Sequence, residues 1–125
     1  DDILLMGDRS QHELIPIFQS ATFFALTPVQ TEDGDRDGIP NVLVEAMAVG
    51  LPVITTAVAG IPELVDHDQN GFLYQQHDVE GISSGITELL RNAEKRRQLG
   101  EAALKKVTEQ FDVTLAANRL KALFA

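Results

Sequence analysis

The segment from residue 37 to residue 63 restricts the fold more than any other part of the chain. Pro40 suits the first turn of a helix, because its missing backbone N–H costs nothing there. Gly50 suits the left-handed residue just past a helix end, and Pro52 prevents the helix from continuing. Residues 51–54 have no polar face, which is typical of strands in a parallel sheet that is covered on both sides. The segment therefore predicts a loop, a helix, a tight turn, a buried strand and the start of a second helix.

The helix predicted after Pro40 has an almost uninterrupted apolar surface. At 100° per residue its apolar side chains cover nearly the whole circumference, which indicates a buried helix. Asn41 and Glu45, one turn apart, form its narrow polar stripe. Burial of a carboxylate is costly unless another group pairs with it. Glu45 therefore either binds a neighbouring backbone N–H or faces a cleft and binds a ligand hydroxyl, and the spacing alone leaves both interpretations open.

Strand and helix patterns alternate along the chain. A helix capped by Ser10, with Glu13 completing a capping box, precedes the second strand. Because Pro16 lies deep in this helix, the helix either begins later, near Leu14, or kinks. Alternation of this kind predicts an α/β fold with a parallel sheet of about four strands. The strands are expected near residues 2–6, 22–26, 52–55 and 72–74.

The C-terminal half is predicted to be mostly helical. Asp78 is expected to cap a helix that runs to about Arg91, and Asp112 is expected to cap a last helix. Residues 94–109 form a helical segment of mixed charge. The length of 125 residues is typical of one domain, so a single domain is predicted over residues 1–125, with C-terminal helices from about residue 93. The side chains expected to face the core are Ile82, Ile86, Leu89 and Leu90 in the first of these helices, and Leu99, Ala103 and Val107 in the second.

Residues 55–60 form a loop of small side chains that leads to a helix start at Pro62. Gly60 either allows a close backbone approach to a ligand or makes a turn. Glu63 lies in the first helical turn, where the helix dipole favours a carboxylate.

Composition excludes several functions. The net charge of −9 argues against a nucleic-acid partner and against docking on anionic lipid. The chain has no cysteine, which excludes disulfides and thiolate chemistry, and it has no apolar run of 18 residues, so no transmembrane helix is predicted. His12, His67 and His77 lack the spacing of metal ligands, so no metal site is predicted.

The motifs resemble a known enzyme family. Asp37 and Glu45 stand eight positions apart, in the Glu-x7-Glu spacing of retaining glycosyltransferases with the two-domain GT-B architecture. The first acid is Asp37 rather than Glu, so its carboxylate reaches one methylene less far. The resemblance runs unevenly from about residue 3 to residue 124 and implies the latter part of a Rossmann-like C-terminal donor-binding domain. Blocks similar to family 4 of these enzymes lie at residues 45–54, 60–65 and 70–73 and at Asp78.

The resemblance implies that the chain binds a nucleotide-diphosphate sugar. Asp37 and Glu45 are then the catalytic carboxylates, with Glu45 on the ribose hydroxyls and Asp37 on the transferred sugar. The backbone N–H groups of Gly38 and Ile39 help to hold that sugar.

The remaining donor contacts follow from the same resemblance. The diphosphate is expected on the free N–H groups of Asn41 and Val42, at a helix N-terminus that favours anions. The base is expected near the end of the first strand, around Leu5 and Met6. No cofactor and no metal is required for transfer.

The resemblance also implies a larger enzyme, with a missing N-terminal domain that binds the acceptor. We expect a cytoplasmic location, at the inner face of the membrane through the missing domain, and an inactive isolated chain. An unpaired sheet edge predicts self-association. Two other functions stay open, namely a non-catalytic nucleotide-binding module and a structural fragment without activity of its own.

Overall fold

The structure, a computed structural model, describes residues 3–30 and 38–110. Asp37 and the helix predicted after Asp112 lie outside these residues. Helices and strands alternate as predicted, which confirms the α/β class. The elements in chain order are α1 (Gln11–Ser20), β1 (Phe24–Leu26), α2 (Asn41–Ala48), β2 (Val53–Thr56), α3 (Ile61–Leu64), β3 (Phe72–Tyr74), α4 (Val79–Arg91) and α5 (Ala93–Gln110).

Three parallel strands form the sheet of the described residues, in the order β1-β2-β3. Ile54 in the central strand lies opposite Ala25 on one side and Phe72 on the other. All four residues of β2 are buried. The prediction of a parallel strand that is covered on both faces is therefore confirmed.

The strand predicted near residues 2–6 is wrong for the residues described, because residues 3–6 form no strand. Ile3 and Leu4 are each 79% exposed and Leu5 is 90% exposed. Apolar residues favour a strand only where a neighbouring strand satisfies their backbone groups and covers their side chains, and this segment has neither. The described sheet thus has three strands rather than about four. Self-association through its β1 edge stays a prediction.

The first helix begins with the predicted capping box. The Ser10 hydroxyl accepts a hydrogen bond from the Glu13 N–H at 3.3 Å, and the Glu13 side chain accepts one from the Ser10 N–H at 3.4 Å. The cap satisfies the Glu13 amide in the first turn and the Ser10 amide before it, and α1 begins at Gln11 and contains Pro16. The alternative of a later start, near Leu14, is therefore wrong.

Two core layers lie on opposite faces of the sheet. Val53 packs in the layer that contains α2 and the C-terminal half of α5, whereas Ile54 packs in the layer that contains α4. The predicted inward residues of α5, namely Leu99, Ala103 and Val107, are all buried. The prediction that Leu90 of α4 faces the core is wrong, because Leu90 is 60% exposed. Leu89, the residue beside it, occupies the buried stripe of that helix.

Helices α2 and α5 approach closely at the end of α2. Gly50 has the left-handed conformation that its position predicted, with φ of +78°. A Cβ atom at Gly100 in α5 would lie 2.2 Å from the carbonyl oxygen of Gly50. A side chain at position 100 is therefore incompatible with this packing, a constraint that the helical pattern alone does not reveal.

Candidate functional site

The candidate site lies at the edge of the sheet where the parallel strands end. Leu26 ends β1 and Thr56 ends β2, and the chain then leads from these ends to the starts of α2 and α3. In open parallel sheets ligands bind outside the carboxyl ends of the strands. The residues singled out around the start of α2 are therefore on the expected side of the sheet.

The start of α2 presents backbone donors. Pro40 is its N-cap, one position before the predicted first turn, and no side chain of the described residues caps the helix. The N–H groups of Leu43 and Val44 bond to the Pro40 carbonyl oxygen at 3.1 and 3.4 Å. The two preceding amides, those of Asn41 and Val42, have no intrahelical acceptor by the geometry of an α-helix. With the dipole of α2, they form a place that favours an anion.

Glu45 lies one turn into α2, on the same stripe as Asn41. Asn41 is exposed and Glu45 is half-buried, whereas Leu43, Ala46 and Met47 are fully buried. The predicted polar stripe is therefore turned away from the buried face of α2, and Val42, Val44 and Ala48 are partly buried like Glu45. Asp37, the other acid of the predicted pair, lies outside the described residues.

The turn before α3 lies against the turn before α2. A Cβ atom at Gly60 would lie 3.1 Å from Ile39 Cγ1, 3.5 Å from the Ile39 nitrogen and 3.6 Å from the carbonyl carbon of Gly38. Gly60 thus allows a close approach of two segments of this chain. Ala59, the residue before it, is exposed and has a positive φ of 52°, which is unfavourable for a residue with a side chain.

The structure places Leu5 and Met6 away from this group. Met6 lines an apolar groove of about 450 Å³, together with Phe24 and Leu51. Phe24 begins β1 and Leu51 precedes β2, so the groove lies at the amino ends of the strands, at the opposite edge from the start of α2. The strand whose end was expected to hold the base is not formed, and the assignment of the base to these two residues stays a prediction.

Tyr74 ends β3 at the same edge as the candidate site but has a structural role. A Cβ atom at Gly85 would lie 2.5 Å from its hydroxyl oxygen, and one at Gly81 would lie 2.8 Å from its ring. The two glycines, which weaken α4 as a helix, therefore make room for this ring. Burial raises the pKa of the Tyr74 phenol, and the nearby Asp78 carboxylate raises it further.

The acidic turn at residues 66–68 is held by ion pairs to α5. Lys106 Nζ lies 3.2 Å from Asp66 Oδ2, and Lys95 pairs with Asp68. His67 Nδ1 accepts a hydrogen bond from the Leu73 N–H at 3.0 Å. Nowhere in residues 3–30 and 38–110 do three His, Cys, Asp or Glu side chains form a group that could hold a metal ion. Within the same ranges, no helix has the length and apolar character that crossing a membrane requires.

Structural comparison defines the class of protein. HepE of Anabaena, solved in complex with UDP and glucose, matches with a TM-score of 0.67 and 25% identity, over 88% of this chain and 29% of that one. Sucrose-phosphate synthase from Thermosynechococcus elongatus matches with a TM-score of 0.66 and 25% identity, over 90% of this chain and 27% of that one. These neighbours are GT-B glycosyltransferases, so the predicted Rossmann-like fold is confirmed.

Sequence comparison identifies the family. Residues 1–106 match the glycosyl transferases group 1. The amylovoran biosynthesis glycosyltransferase AmsK of Erwinia amylovora is 34% identical over 120 residues, which are 96% of this chain and 30% of that protein. The N-acetyl-alpha-D-glucosaminyl L-malate synthase of Bacillus anthracis is 36% identical over 91 residues, which are 73% of this chain and 24% of that protein. The chain belongs to the glycosyl transferases group 1, and it spans less than a third of the length of these relatives.

Proposed function

We propose that this chain is the donor-binding part of a glycosyltransferase and that it binds a nucleotide-diphosphate sugar. One observation carries the proposal. Helix α2 begins without a side-chain cap at the carboxyl edge of a parallel sheet, and Glu45 lies one turn further along it. The family match supports the proposal, because relatives of the chain are named glycosyltransferases. Because HepE is solved with UDP and with UDP-glucose, a uridine diphosphate donor is the first candidate.

In this proposal the start of α2 holds the diphosphate. The amides of Asn41 and Val42 donate to phosphate oxygens, and the dipole of the helix stabilises the negative charge. When the bond between sugar and diphosphate breaks, charge develops on the departing phosphate. Donors that are already in place stabilise this charge without further reorganisation. The net charge of −9 opposes the same ligand, so we expect weak binding, with Kd of about 0.1–10 mM.

Glu45 and Asp37 bind different parts of the rest of the donor. Glu45 accepts hydrogen bonds from the ribose hydroxyls. Asp37 binds hydroxyls of the transferred sugar, together with the N–H groups of Gly38 and Ile39. The anomeric configuration is retained in the transfer, and neither a metal nor a cofactor takes part.

Transfer requires more than these residues. The acceptor hydroxyl has to lie within about 3–3.5 Å of the anomeric carbon, in line for attack. We assign the binding of the acceptor to a further domain of the complete enzyme. The 125-residue chain alone is therefore expected to bind donor nucleotide without transferring sugar.

Substitution of the acids tests the proposal. Glu45→Gln keeps the shape of the side chain but removes its charge, and hydrogen bonds to a charged group contribute about 1.5–3 kcal/mol. We therefore expect the Kd for UDP, measured by NMR titration, to rise by about 10- to 150-fold. Glu63→Gln is the matched control, because Glu63 is an exposed acid in the first turn of α3 and should leave the Kd unchanged. Asp37→Asn should also leave UDP binding nearly intact, since its partner is the sugar.

Three outcomes would contradict parts of the proposal. No binding of any nucleoside diphosphate would leave a structural fragment. Equal losses from Glu45→Gln and Asp37→Asn would show that the division of roles is wrong. Binding without transfer by the complete enzyme would favour a non-catalytic nucleotide-binding module.

A further inference from the structure

We propose that Gly60 is a positioning residue of the donor site, a role that rests on the proposed function. Because Gly60 has no side chain, the turn before α3 lies directly against residues 38–39. That contact sets the position of the Ile39 amide and of the α2 start that follows it. Gly60 itself does not touch the donor.

The contact involves the backbone that the donor is proposed to use. A methyl group at position 60 would lie 3.1 Å from Ile39 Cγ1 and 3.5 Å from the Ile39 nitrogen. The first distance is closer than ordinary van der Waals contact between carbon atoms, so the Ile39 side chain has to move by a few tenths of an ångström. Because the Ile39 side chain packs against the core layer that contains α2, a shift of this side chain is passed on to the backbone of residue 39.

The turn that contains Gly60 is tied down and is not free to move away. The Ala57 N–H donates to the Tyr74 carbonyl oxygen at 2.8 Å, and the Val58 N–H donates to the Thr56 carbonyl oxygen at 2.9 Å. The Ile61 N–H donates to the Val58 carbonyl oxygen at 3.1 Å. The first two bonds attach the amino-terminal side of the turn to the ends of β3 and β2, and the third closes the turn between Val58 and Ile61. A side chain at position 60 therefore displaces residues 38–39 rather than its own turn.

The displacement should affect one part of the donor more than another. Residues 38–39 immediately precede the α2 amides that are proposed to bind the diphosphate. Hydrogen bonds depend steeply on geometry, so a shift of a few tenths of an ångström weakens the contacts to phosphate oxygens. The nucleoside part of the donor is proposed to bind elsewhere, through Glu45. A larger residue at position 60 is thus expected to lower the preference for a diphosphate over a nucleoside.

The test compares two probes, UDP and uridine, on the 125-residue chain. We expect Gly60→Ala to raise the Kd for UDP by about 2- to 10-fold and Gly60→Val to raise it further, with the Kd for uridine unchanged. Ile39→Ala removes the atom that the new methyl group meets. It should therefore restore UDP binding in the Gly60→Ala background, measured against Ile39→Ala alone.

A stability control separates positioning from general weakening of the fold. Val107→Ala opens a cavity among buried residues of α5 and should lower stability without changing the ratio of the two Kd values. Unchanged UDP binding in both Gly60 variants, or equal losses for UDP and uridine, would overturn the positioning role and leave the proposed function standing. A wild-type chain with no preference for UDP over uridine would overturn the diphosphate site, and the role of Gly60 with it.

Discussion

Two adjacent threonines at the end of β2 should respond in opposite ways to the same substitution. Thr55 and Thr56 are 0% and 1% exposed. The Thr55 hydroxyl has no hydrogen-bond partner among the described residues. The Thr56 hydroxyl donates to the carbonyl oxygen of Pro28 at 2.6 Å. Valine in either position replaces a hydroxyl with a methyl group of similar size.

The expected magnitudes follow from this difference. A buried hydroxyl without a partner costs about 1–3 kcal/mol, so Thr55→Val should raise the free energy of unfolding by about 1 kcal/mol or more. For a chain of 125 residues, a change of about 1 kcal/mol corresponds to a rise in Tm of about 3–5 °C. Thr56→Val removes a hydrogen bond and leaves a carbonyl oxygen without its donor, so the free energy of unfolding should fall by about 0.5–1.5 kcal/mol.

Urea unfolding followed by circular dichroism measures both changes, with the midpoint and slope fitted for each variant. Thr55→Ser tests the same point from the other direction, because it keeps the hydroxyl, removes a methyl group and should destabilise. A decrease in stability for Thr55→Val similar to that for Thr56→Val would refute the reasoning, since it would show that the Thr55 hydroxyl has a partner.

Three further substitutions test other parts of the structure. In urea unfolding, Gly100→Ala should lower the free energy of unfolding by about 1–3 kcal/mol, because its methyl group meets the Gly50 carbonyl oxygen. This loss is expected despite the better helix propensity of alanine, and a stabilised variant would contradict the close contact between the helices. Ala59→Gly should raise the free energy of unfolding by about 1 kcal/mol by relieving a positive φ, and unchanged stability would argue against strain there. The pKa of Glu13 is lowered, mainly by a hydrogen bond from Arg9 and next by one from Ser10. The Glu13 carboxylate therefore contributes to folding stability at neutral pH, and this contribution is lost as the pH falls through the lowered pKa. The difference in stability between the wild type and Glu13→Gln should accordingly shrink in acid.

Local chemistry explains the features that the sequence predicted well. Gly50 was predicted to be left-handed because glycine just past a helix end commonly adopts that conformation, and its φ is +78°. Asp78 was predicted to cap α4, and its side chain accepts a hydrogen bond from the Gly81 N–H at 2.9 Å. Each of these features depends on residues within a few positions in the chain.

Features that depend on distant residues were predicted less well. The apolar segment at residues 3–6 has the composition of a strand, but strand formation depends on a partner that the segment itself does not determine. The contact between Gly60 and Ile39 joins two loops 21 positions apart, and glycine in a loop has several explanations. Leu90 fits the apolar stripe of α4 by position, yet which edge of a stripe is covered depends on the neighbouring elements. The sequence likewise did not predict that Met6 lies at the edge of the sheet formed by the amino ends of the strands.

Titration of the ¹⁵N-labelled chain with UDP, followed by amide chemical shifts, tests the donor site most directly. The proposed function predicts that the largest shifts occur at the amides of Asn41 and Val42, with smaller shifts when uridine replaces UDP. Shifts confined to the apolar groove around Met6 and Leu51, or no shifts at 10 mM UDP, about the weakest Kd expected here, would contradict the assignment of the diphosphate to the start of α2.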